Sequence, residues 1–468
     1  MRQITADSRL ETDYLVVGAG AAGMAFTDAL LQHSNATVTM VDRRDAPGGH
    51  WQDAYPYVRL HQPSAFYGVS SVPLGQDAID AVGLNDGFYE LAGPDELRAY
   101  YERVMNRHFL PTGRVRYFPN CEYVGEHRFI SRVADASWQV RVHRKLVDTT
   151  YLEGAIPATD PPPFAVADGV RCVPAGEIAR IKDRPERFVI IGAGKTALDA
   201  GTWLLARGVP ASAICWIKPR EAWWLNRRFQ QPYTMLPDLY WGTSIQVEAL
   251  AVATSVADLV ARLEAEAIFV RVDPDVTPTM FRGAIVSESE LALLRQINDV
   301  VRLGRVRSIE KGEIVLDEGR VPTNERTLHV HCASRALARR PLRPVFDAER
   351  VTVQPVLWGF ACYQFAMLGV VEAAIESDEE KNRLCPPIAY WDEDKDYLIA
   401  FLARLKGDRI RATHPVLANW MKTTRLNPAS MLSSYFDDAR VIEAGERIKR
   451  FAPAAVGNIE KLLSPNRA

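Results

Sequence analysis

The sequence of 468 residues has no marked excess of one charge and no long hydrophobic run. Its 56 Lys and Arg nearly balance 58 Asp and Glu, which argues against nucleic acid or an acidic membrane surface as a partner. No apolar run reaches the roughly 18 residues of a membrane span, and the opening MRQITADSRLETD lacks the apolar core of a signal peptide. We therefore expect a cytoplasmic protein that acts on a small molecule, with no membrane or nucleic-acid partner. A homo-oligomer is compatible with these totals.

The sequence contains few cysteines, and they stand far apart. The six cysteines form no CxxC pair, which argues against a redox dithiol, a zinc knuckle or a disulfide scaffold. A GxSxG elbow, which would indicate a hydrolase, is also absent. His329 and His331 alternate on a predicted strand, but no third ligand stands near them, so we expect no metal site.

What the sequence does contain is a glycine turn near its start. Residues 14–17 are a short apolar run that predicts a strand, and residues 24–32 predict a helix. Between them stand Gly18, Gly20 and Gly23, in GAGAAG. These glycines would permit the tight turn, the approach of a pyrophosphate and the packing of helix on strand, respectively. The helix N-terminus would offer free N–H groups to the anion.

An acid stands where a dinucleotide site needs one. A second predicted strand, residues 36–41, ends at Asp42, where a carboxylate can accept hydrogen bonds from both hydroxyls of an adenosine ribose. Arg43 follows directly and is included in the predicted cofactor site. The alternative is a glycine-rich turn that binds no ligand.

Paired glycines follow this strand in the motif GGHW, which contains Gly48, Gly49 and Trp51. At this point the sequence resembles the two-dinucleotide-binding flavoproteins and, within them, the flavin-containing monooxygenase family, whose FAD domain carries GGxW after an acid-tipped strand. The resemblance implies that FAD binds at the first turn, with its flavin ring pointing toward residues 55–63.

A second turn, VIIGAGKTALDA at residues 189–200, fits two classes of nucleotide site. An ATP phosphate loop, GxxxxGK[ST], would need glycine at position 189, which is Val189. A nicotinamide-binding turn fits instead, because Gly192 and Gly194 follow a predicted strand at residues 187–191.

The following predicted helix covers residues 196–206. Thr196 at its start and Lys195 just before it are included in the predicted nicotinamide cofactor site. Ala197 stands in the position of the third glycine. The Lys195 ammonium would point either into solvent or toward a phosphate.

The next predicted strand, residues 212–217, ends in two cations rather than an acid. Lys218 and Arg220 would attract the 2′-phosphate of NADP and leave no carboxylate for the bare ribose of NAD. The sequence therefore favours NADP over NAD, although Glu221 opposes this interpretation.

The spacing of the two turns predicts an α/β protein with two Rossmann-like domains, the nicotinamide domain being inserted into a discontinuous FAD domain, as in the family. We assign residues 1–165 and 321–390 to the FAD-binding domain, residues 166–320 to the NAD(P)-binding domain with a helical insertion, and residues 391–468 to C-terminal helices.

The resemblance implies an FAD-dependent, NADPH-reduced monooxygenase that uses dioxygen, through a flavin C4a-hydroperoxide, on a small organic substrate. Arg59, Gln62 and His61 stand where the family places polar residues facing the flavin edge, and are the candidate catalytic residues. The family's FxGxxxHxxx(Y/F/W) fingerprint has no counterpart in residues 154–185. A flavin oxidoreductase without oxygen insertion therefore stays open as the alternative, as does a nucleotide-binding module without enzymatic activity.

Overall fold

The computed structural model describes residues 8–151, 153–333 and 337–464. Seven strands form the first sheet: β1 (Ser8–Val17), β2 (Val38–Val41), β3 (Val115–Phe118), β4 (Cys121–Gly125), β5 (Arg128–Ser131), β6 (Ser137–Asp148) and β19 (Arg350–Thr352). Their order is β3-β2-β1-β6-β5-β4, with β19 also paired to β6. Strands β3, β2, β1, β6 and β19 run parallel, as in a dinucleotide-binding sheet.

Five parallel strands form the second sheet: β8 (Cys172–Pro174), β9 (Arg187–Ile191), β10 (Ile214–Ile217), β14 (Asp299–Val301) and β18 (Thr327–His331). Their order is β14-β10-β9-β18-β8, so β9 lies at the centre, between β10 and β18. This order creates a crevice beyond the carboxyl end of β9, where ligands bind in open α/β sheets.

Two small sheets complete the β structure. One has the order β12-β11-β13 and contains β11 (Ala222–Asn226), β12 (Phe269–Val270) and β13 (Met280–Val286). The other has the order β17-β16-β15-β7 and contains β7 (Ala165–Val166), β15 (Val306–Ile309), β16 (Glu313–Leu316) and β17 (Gly319–Pro322). The predicted helical insertion does contain helices, at Leu236–Val252 and Val256–Ala265, but it also contains the β12-β11-β13 sheet, which the sequence did not predict and whose central strand β11 is buried at all five residues.

Helices cover the sheets and form the C-terminal part. They are α1 (Ala21–His33), α2 (Pro94–Val104), α3 (Lys195–Ala206), α4 (Leu236–Val252), α5 (Val256–Ala265), α6 (Glu288–Leu294), α7 (Ala361–Ala374), α8 (Asp378–Leu384), α9 (Asp394–Thr413), α10 (Pro415–Thr423) and α11 (Ala439–Leu463). In the described parts of the chain, no helix is both long and apolar enough to cross a membrane.

The core of the first domain depends on close contact between its two central helices. α1 packs along α7. A Cβ at Gly369 would overlap the Phe26 carbonyl oxygen, so the absence of a side chain at this position sets the helix separation. The resulting core includes Met24, Leu30 and Met367, all fully buried.

The insertion and the C-terminal helices share one core. α11 packs on α4 and on α9, and their apolar side chains surround a cluster of buried aromatic rings. That cluster contains Trp223, Phe269, Phe281, Trp358 and Tyr397. Residues after position 391, to which the sequence assigned no role, therefore complete the core of the inserted segment.

The second unit extends beyond the expected boundary at residue 320. Strand β18 was expected to return the chain to the FAD domain, but it pairs in parallel with β9 and β8, and all five of its residues are buried. The chain rejoins the first sheet only at β19. The sequence of β18, Thr-Leu-His-Val-His, alternates polar and apolar residues and does not specify which sheet it joins, which is why the sequence alone did not locate the crossing.

Candidate functional site

The first glycine turn has the geometry of an anion cradle. Gly18 connects β1 to α1 with φ +102°, a backbone conformation that favours glycine. A Cβ at Gly23 would overlap the Gly18 carbonyl oxygen, so only glycine lets α1 begin this close to the strand. The N-cap of α1 is Gly20, and no side chain caps it. The first N–H groups of α1 are therefore available to a phosphate.

The GGHW segment lies directly over this turn. The Gly48 N–H donates to the Ala19 carbonyl at 2.8 Å, and Gly48 forms a parallel bridge with Gly20. A Cβ on Gly49 would lie 2.8 Å from the Gly20 Cα. Side chains at these positions would separate the two backbones, so the paired glycines let the loop close on the turn.

Asp42 lies buried beside the turn, at the carboxyl end of β2. Its Oδ2 accepts from the Ala19 N–H at 2.6 Å and its Oδ1 accepts from the Arg44 N–H at 2.8 Å. Burial raises the pKa of Asp42, while these hydrogen bonds favour the ionised form. Each oxygen retains a lone pair, so an oriented carboxylate faces the site where a ribose would lie. Arg43 points away and pairs with Glu153.

The remaining predicted residues of the first domain have partners within the protein. The Trp51 Nε1–H donates to the Tyr67 hydroxyl at 2.9 Å in the core. Arg59, which is exposed, donates from Nη1 to the Leu91 carbonyl at 2.8 Å, and the Gln62 Nε2–H donates to the Phe66 carbonyl at 3.2 Å.

The second turn repeats the cradle. Gly192 has φ +136°, and a Cβ there would lie 3.0 Å from the Cys332 carbonyl carbon and oxygen. The N-cap of α3 is Gly194, which no side chain caps, and a Cβ there would meet no atom within 4 Å. The start of α3 therefore faces open space, as anion binding requires. Thr196 lies in its first turn, within reach of the Tyr55 hydroxyl.

Lys195 points into a cluster of buried charges. Its Nζ pairs with Asp199, one turn further along α3, and lies 3.5 Å from Glu290 Oε1. Only 11% of the Lys195 side chain is exposed, so the solvated orientation considered for it does not occur. Burial opposes the charged ammonium, but Asp199 and Glu290 outweigh this and raise the pKa of Lys195.

Three parts of the chain meet in this charged cluster. The Tyr55 hydroxyl from the first domain donates to Asp199 Oδ2 at 2.6 Å. Arg227 from the insertion lies 2.7 Å from Glu290 Oε2, with its side chain only 2% exposed. Burial, reinforced by Lys195 and Arg227, lowers the pKa of His61 to about 3, so this imidazole is neutral near neutral pH.

The two cations predicted for the 2′-phosphate are separated by the structure. The Lys218 Nζ lies 2.7 Å from Glu221 Oε1, with only 2% of its side chain exposed, and 4.4 Å from the centre of the Trp216 ring. Arg220 turns instead toward Asp392 in the C-terminal segment, at 3.1 Å. Glu221 thus neutralises Lys218, while Arg220 joins a different group of side chains.

Neither the histidines nor the cysteines form a metal site. His329 Nε2 lies 2.9 Å from the Thr323 hydroxyl, and His331 packs edge-on against Phe164. Across the described ranges, no group of three His, Cys, Asp or Glu side chains could hold a metal ion.

Sequence reasoning missed the charged cluster and its links between domains. The spacing of Lys195 and Asp199, four residues apart on a predicted helix, is a signal from which their ion pair could have been predicted, but that prediction was not made. Nothing in the sequence connected this pair to Tyr55, Arg227 or Glu290, which come from segments far apart in the chain. Those contacts depend on how the insertion folds back.

A protein-family model matches the first dinucleotide-binding unit. The NAD(P)-binding Rossmann-like domain family matches residues 16–69, which contain the first turn, Asp42 and GGHW. Among solved structures, an oxidized steroid monooxygenase bound to NADP superposes with a TM-score of 0.48 at 15% identity, covering 96% of this chain and 99% of that one. Cyclohexanone monooxygenase from Rhodococcus sp. Phi1 bound to NADP+ gives 0.42 at 16% identity, covering 69% and 70%. The predicted fold, with two Rossmann-like units and C-terminal helices, is confirmed.

Sequence relatives cover nearly the whole chain. An uncharacterized protein of Mycobacterium tuberculosis, Rv2000, is 42% identical over 466 residues, which span 97% of this chain and 86% of the relative. A protein of Mycobacterium bovis, Mb2023, has the same identity and coverage. The chain therefore belongs to the family of these mycobacterial proteins, which are built on a dinucleotide-binding Rossmann-like fold.

Proposed function

We propose that the protein is a flavin-dependent oxidoreductase that binds FAD at the first glycine turn and NADPH at the second, and that it acts as a monooxygenase on a small organic substrate. The observation that carries this proposal is the pair of glycine turns that lead into helices with no side-chain cap, at Gly20 and Gly194. The Tyr55–Asp199 hydrogen bond joins the two units that contain these turns.

The residues at the first turn fit FAD. The start of α1 would bind the pyrophosphate through backbone N–H groups, and Asp42 would accept from the adenosine ribose. Gly48 and Gly49 would hold the loop over the cofactor. When bound, the flavin would supply hydride acceptance from the nicotinamide and reactivity toward dioxygen.

The residues at the second turn fit a nicotinamide dinucleotide. The N-terminus of α3 would bind its pyrophosphate, with Thr196 beside it. The charged cluster borders the region between the two turns. Its buried cations Lys195 and Arg227, with the neutral His61, would orient polar atoms there and keep bulk water out.

Oxygen insertion is the finer part of the proposal, and the alternative is an oxidoreductase that only transfers electrons. Both need the same cofactors. A monooxygenase needs hydrogen-bond donors and a water-poor cleft, and the charged cluster provides such donors.

The test is turnover in the presence of isotopically labelled dioxygen. Protein reconstituted with FAD would be supplied with NADPH, ¹⁸O₂ and a panel of small ketones, sulfides and amines. Monooxygenase activity predicts one labelled oxygen atom in the product for each NADPH consumed. NADPH oxidation without labelled product, with its two electrons recovered as hydrogen peroxide or in a reduced organic acceptor, would establish the electron-transfer alternative. Absence of bound FAD after reconstitution would refute both.

A further inference from the structure

Three arginines from three segments of the chain converge on one carboxylate. Arg220, Arg282 and Arg339 each lie close to Asp392, with nitrogen–oxygen distances of 3.1, 2.9 and 2.6 Å. The Asp392 side chain is only 10% exposed. Burial works against its ionisation, but Arg282 and Arg220 lower the pKa of Asp392 below its ordinary value. We call these four side chains the Asp392 cluster.

The charges of the Asp392 cluster do not balance. Three guanidinium groups and one carboxylate leave a net charge of about +2. Arg220 and Arg282 are only about one-third exposed, at 32% and 30%, so solvent screens their mutual repulsion incompletely. In the charged cluster at the start of α3, by contrast, Lys195 and Arg227 are balanced by Asp199 and Glu290. An excess of two positive charges around Asp392 is suited to binding a dianion.

The Asp392 cluster lies at the ligand-binding edge of the second sheet. Arg220 comes three residues after the end of β10, and the neighbouring strand β14 ends at Val301, so both strands end at this edge. Ligands bind beyond the carboxyl ends of parallel strands. The C-terminal segment is fixed here because the Phe281 N–H donates to the Asp392 carbonyl at 3.0 Å.

A cavity adjoins the Asp392 cluster. It has a volume of about 320 Å³, and its charged lining residues are the cations Arg339, Arg340 and Lys395 and the anions Glu393 and Asp396. Beside the cluster, the buried Trp358 and Trp391 indole nitrogens each lie 3.2 Å from the position of a Cβ on Gly283, and neither N–H has a partner in the described residues. The cavity adjoins the Asp392 cluster through Arg339, and the cluster and the charged lining residues taken together still have two more cations than anions.

We propose that the Asp392 cluster binds a phosphate monoester. Such a group carries about −1.5 to −2 charges near neutral pH and accepts paired hydrogen bonds from guanidinium groups, matching the net charge and the donor set. Asp392 acts as a positioning residue that holds the three arginines together. Its place in the C-terminal segment makes that segment part of the site, and Arg282 and Arg339 are ligands that the sequence did not indicate.

The phosphate can belong to the dinucleotide at the second turn or to a separate molecule. The first source rests on the proposed function, because the 2′-phosphate of NADPH would project from the adenosine ribose beyond the end of β10. Under that source the Asp392 cluster, rather than Lys218, distinguishes NADPH from NADH.

The experiment measures ligand binding by calorimetry and by thermal shift on the full chain. The probes are inorganic phosphate, 2′-AMP, 5′-AMP, NADP+ and NAD+. We expect Arg282→Met and Arg339→Met each to weaken 2′-AMP binding about tenfold, a typical loss for one charge-assisted contact. Arg320→Met is the matched control. Arg320 lies on β17, where it forms an exposed ion pair with Glu313, and its substitution should leave binding unchanged.

A second variant tests the role of Asp392 without relying on affinity. Asp392→Asn leaves three like charges without their anchor, so its melting temperature should fall. Added phosphate should raise the melting temperature of Asp392→Asn by more degrees than it raises that of the wild type. If phosphate stabilises both proteins equally, or neither, the positioning role is wrong.

The binding results distinguish failure of the phosphate site from failure of the proposed nicotinamide site. Selective loss of NADP+ affinity in Arg282→Met, with NAD+ affinity unchanged, supports the dinucleotide source. If the wild type binds 2′-AMP and phosphate but neither dinucleotide, the phosphate site stands and the nicotinamide proposal fails. If no phosphate compound binds to the wild type, or if binding is equal in wild type and both arginine variants, the phosphate site is refuted.

Discussion

The Tyr55 hydroxyl donates a 2.6 Å hydrogen bond to Asp199 Oδ2, which joins the loop after the first nucleotide unit to the helix that opens the second. The same carboxylate holds the Lys195 ammonium through its other oxygen. One side chain therefore connects the two halves of the predicted cleft and fixes the cation at the start of α3. Burial, reinforced by Asp199, raises the pKa of Tyr55 well above its ordinary value, so Tyr55 stays a donor.

Removing this hydroxyl should loosen the contact between the domains. Tyr55→Phe deletes a hydrogen bond to a charged acceptor, which typically costs about 1.5–3 kcal/mol. We expect a lower midpoint of thermal unfolding and faster proteolysis between the domains. Tyr57→Phe is the control, because the Tyr57 hydroxyl donates to a neutral acceptor, the Ala175 carbonyl, and its loss should cost about 1 kcal/mol. Equal effects of the two substitutions would contradict a special role for Asp199.

Glu290 predicts a pH dependence of stability. Burial raises its pKa, but Lys195 and Arg227 outweigh this and bring the pKa to about 2, below the ordinary value of 4.5. A folded-state pKa below the unfolded value stabilises the protein by about 3 kcal/mol above pH 4.5, and this is lost as the pH falls toward 2. Glu290→Gln should therefore be less stable than the wild type at pH 7.

The difference between Glu290→Gln and the wild type should shrink as the pH falls from 4.5 toward 2. The measurement is the free energy of unfolding of both proteins, obtained from denaturant titrations at several pH values across this range. The exposed Glu266 provides the control, since Glu266→Gln should show no such trend. A gap that stays constant with pH would show that the Glu290 carboxylate is not stabilised by its two cations.

The glycines of the two turns predict opposite outcomes on substitution. Gly23→Ala places a Cβ against the Gly18 carbonyl oxygen, so it should destabilise the first domain. Gly194→Ala introduces a Cβ that meets no atom within 4 Å, so the fold should be unaffected. Its Cβ would instead obstruct a pyrophosphate at the start of α3. Melting temperatures should fall only in Gly23→Ala, while Gly194→Ala should weaken NADP+ binding; normal NADP+ binding there would contradict the assignment of the second turn.

Much of the fold could be predicted because strand, glycine turn and helix are local patterns. The strand at residues 187–191 was predicted with the bounds of β9, and the helix at 24–32 lies within α1. The turns required only short-range geometry, which glycine and apolar periodicity record directly. Strand β18 was assigned to the wrong sheet because its alternating sequence, Thr-Leu-His-Val-His, predicts a strand without indicating its neighbours.

The interior of the candidate site could not be predicted because its charges meet through tertiary packing. Lys218 and Arg220 are two residues apart, but Lys218 turns into the core to meet Glu221 and Arg220 turns out to meet Asp392. The partner of Lys218 is three residues away, whereas the partner of Arg220 comes from the C-terminal segment, 172 residues further along the chain. Charge identity can be read from the sequence, whereas charge pairing requires the fold.

The most direct test of FAD binding at the first turn is to titrate FAD-free protein with FAD and to monitor the flavin fluorescence. The account predicts saturation at one FAD per chain. Asp42→Asn should bind about tenfold more weakly, because an amide oxygen accepts more weakly from the ribose hydroxyls than a carboxylate does. Asp45→Asn, at an exposed site nearby, should bind as the wild type does. Absence of saturable FAD binding in the wild type, or equal affinity in Asp42→Asn and the wild type, would contradict the placement of FAD at the first turn.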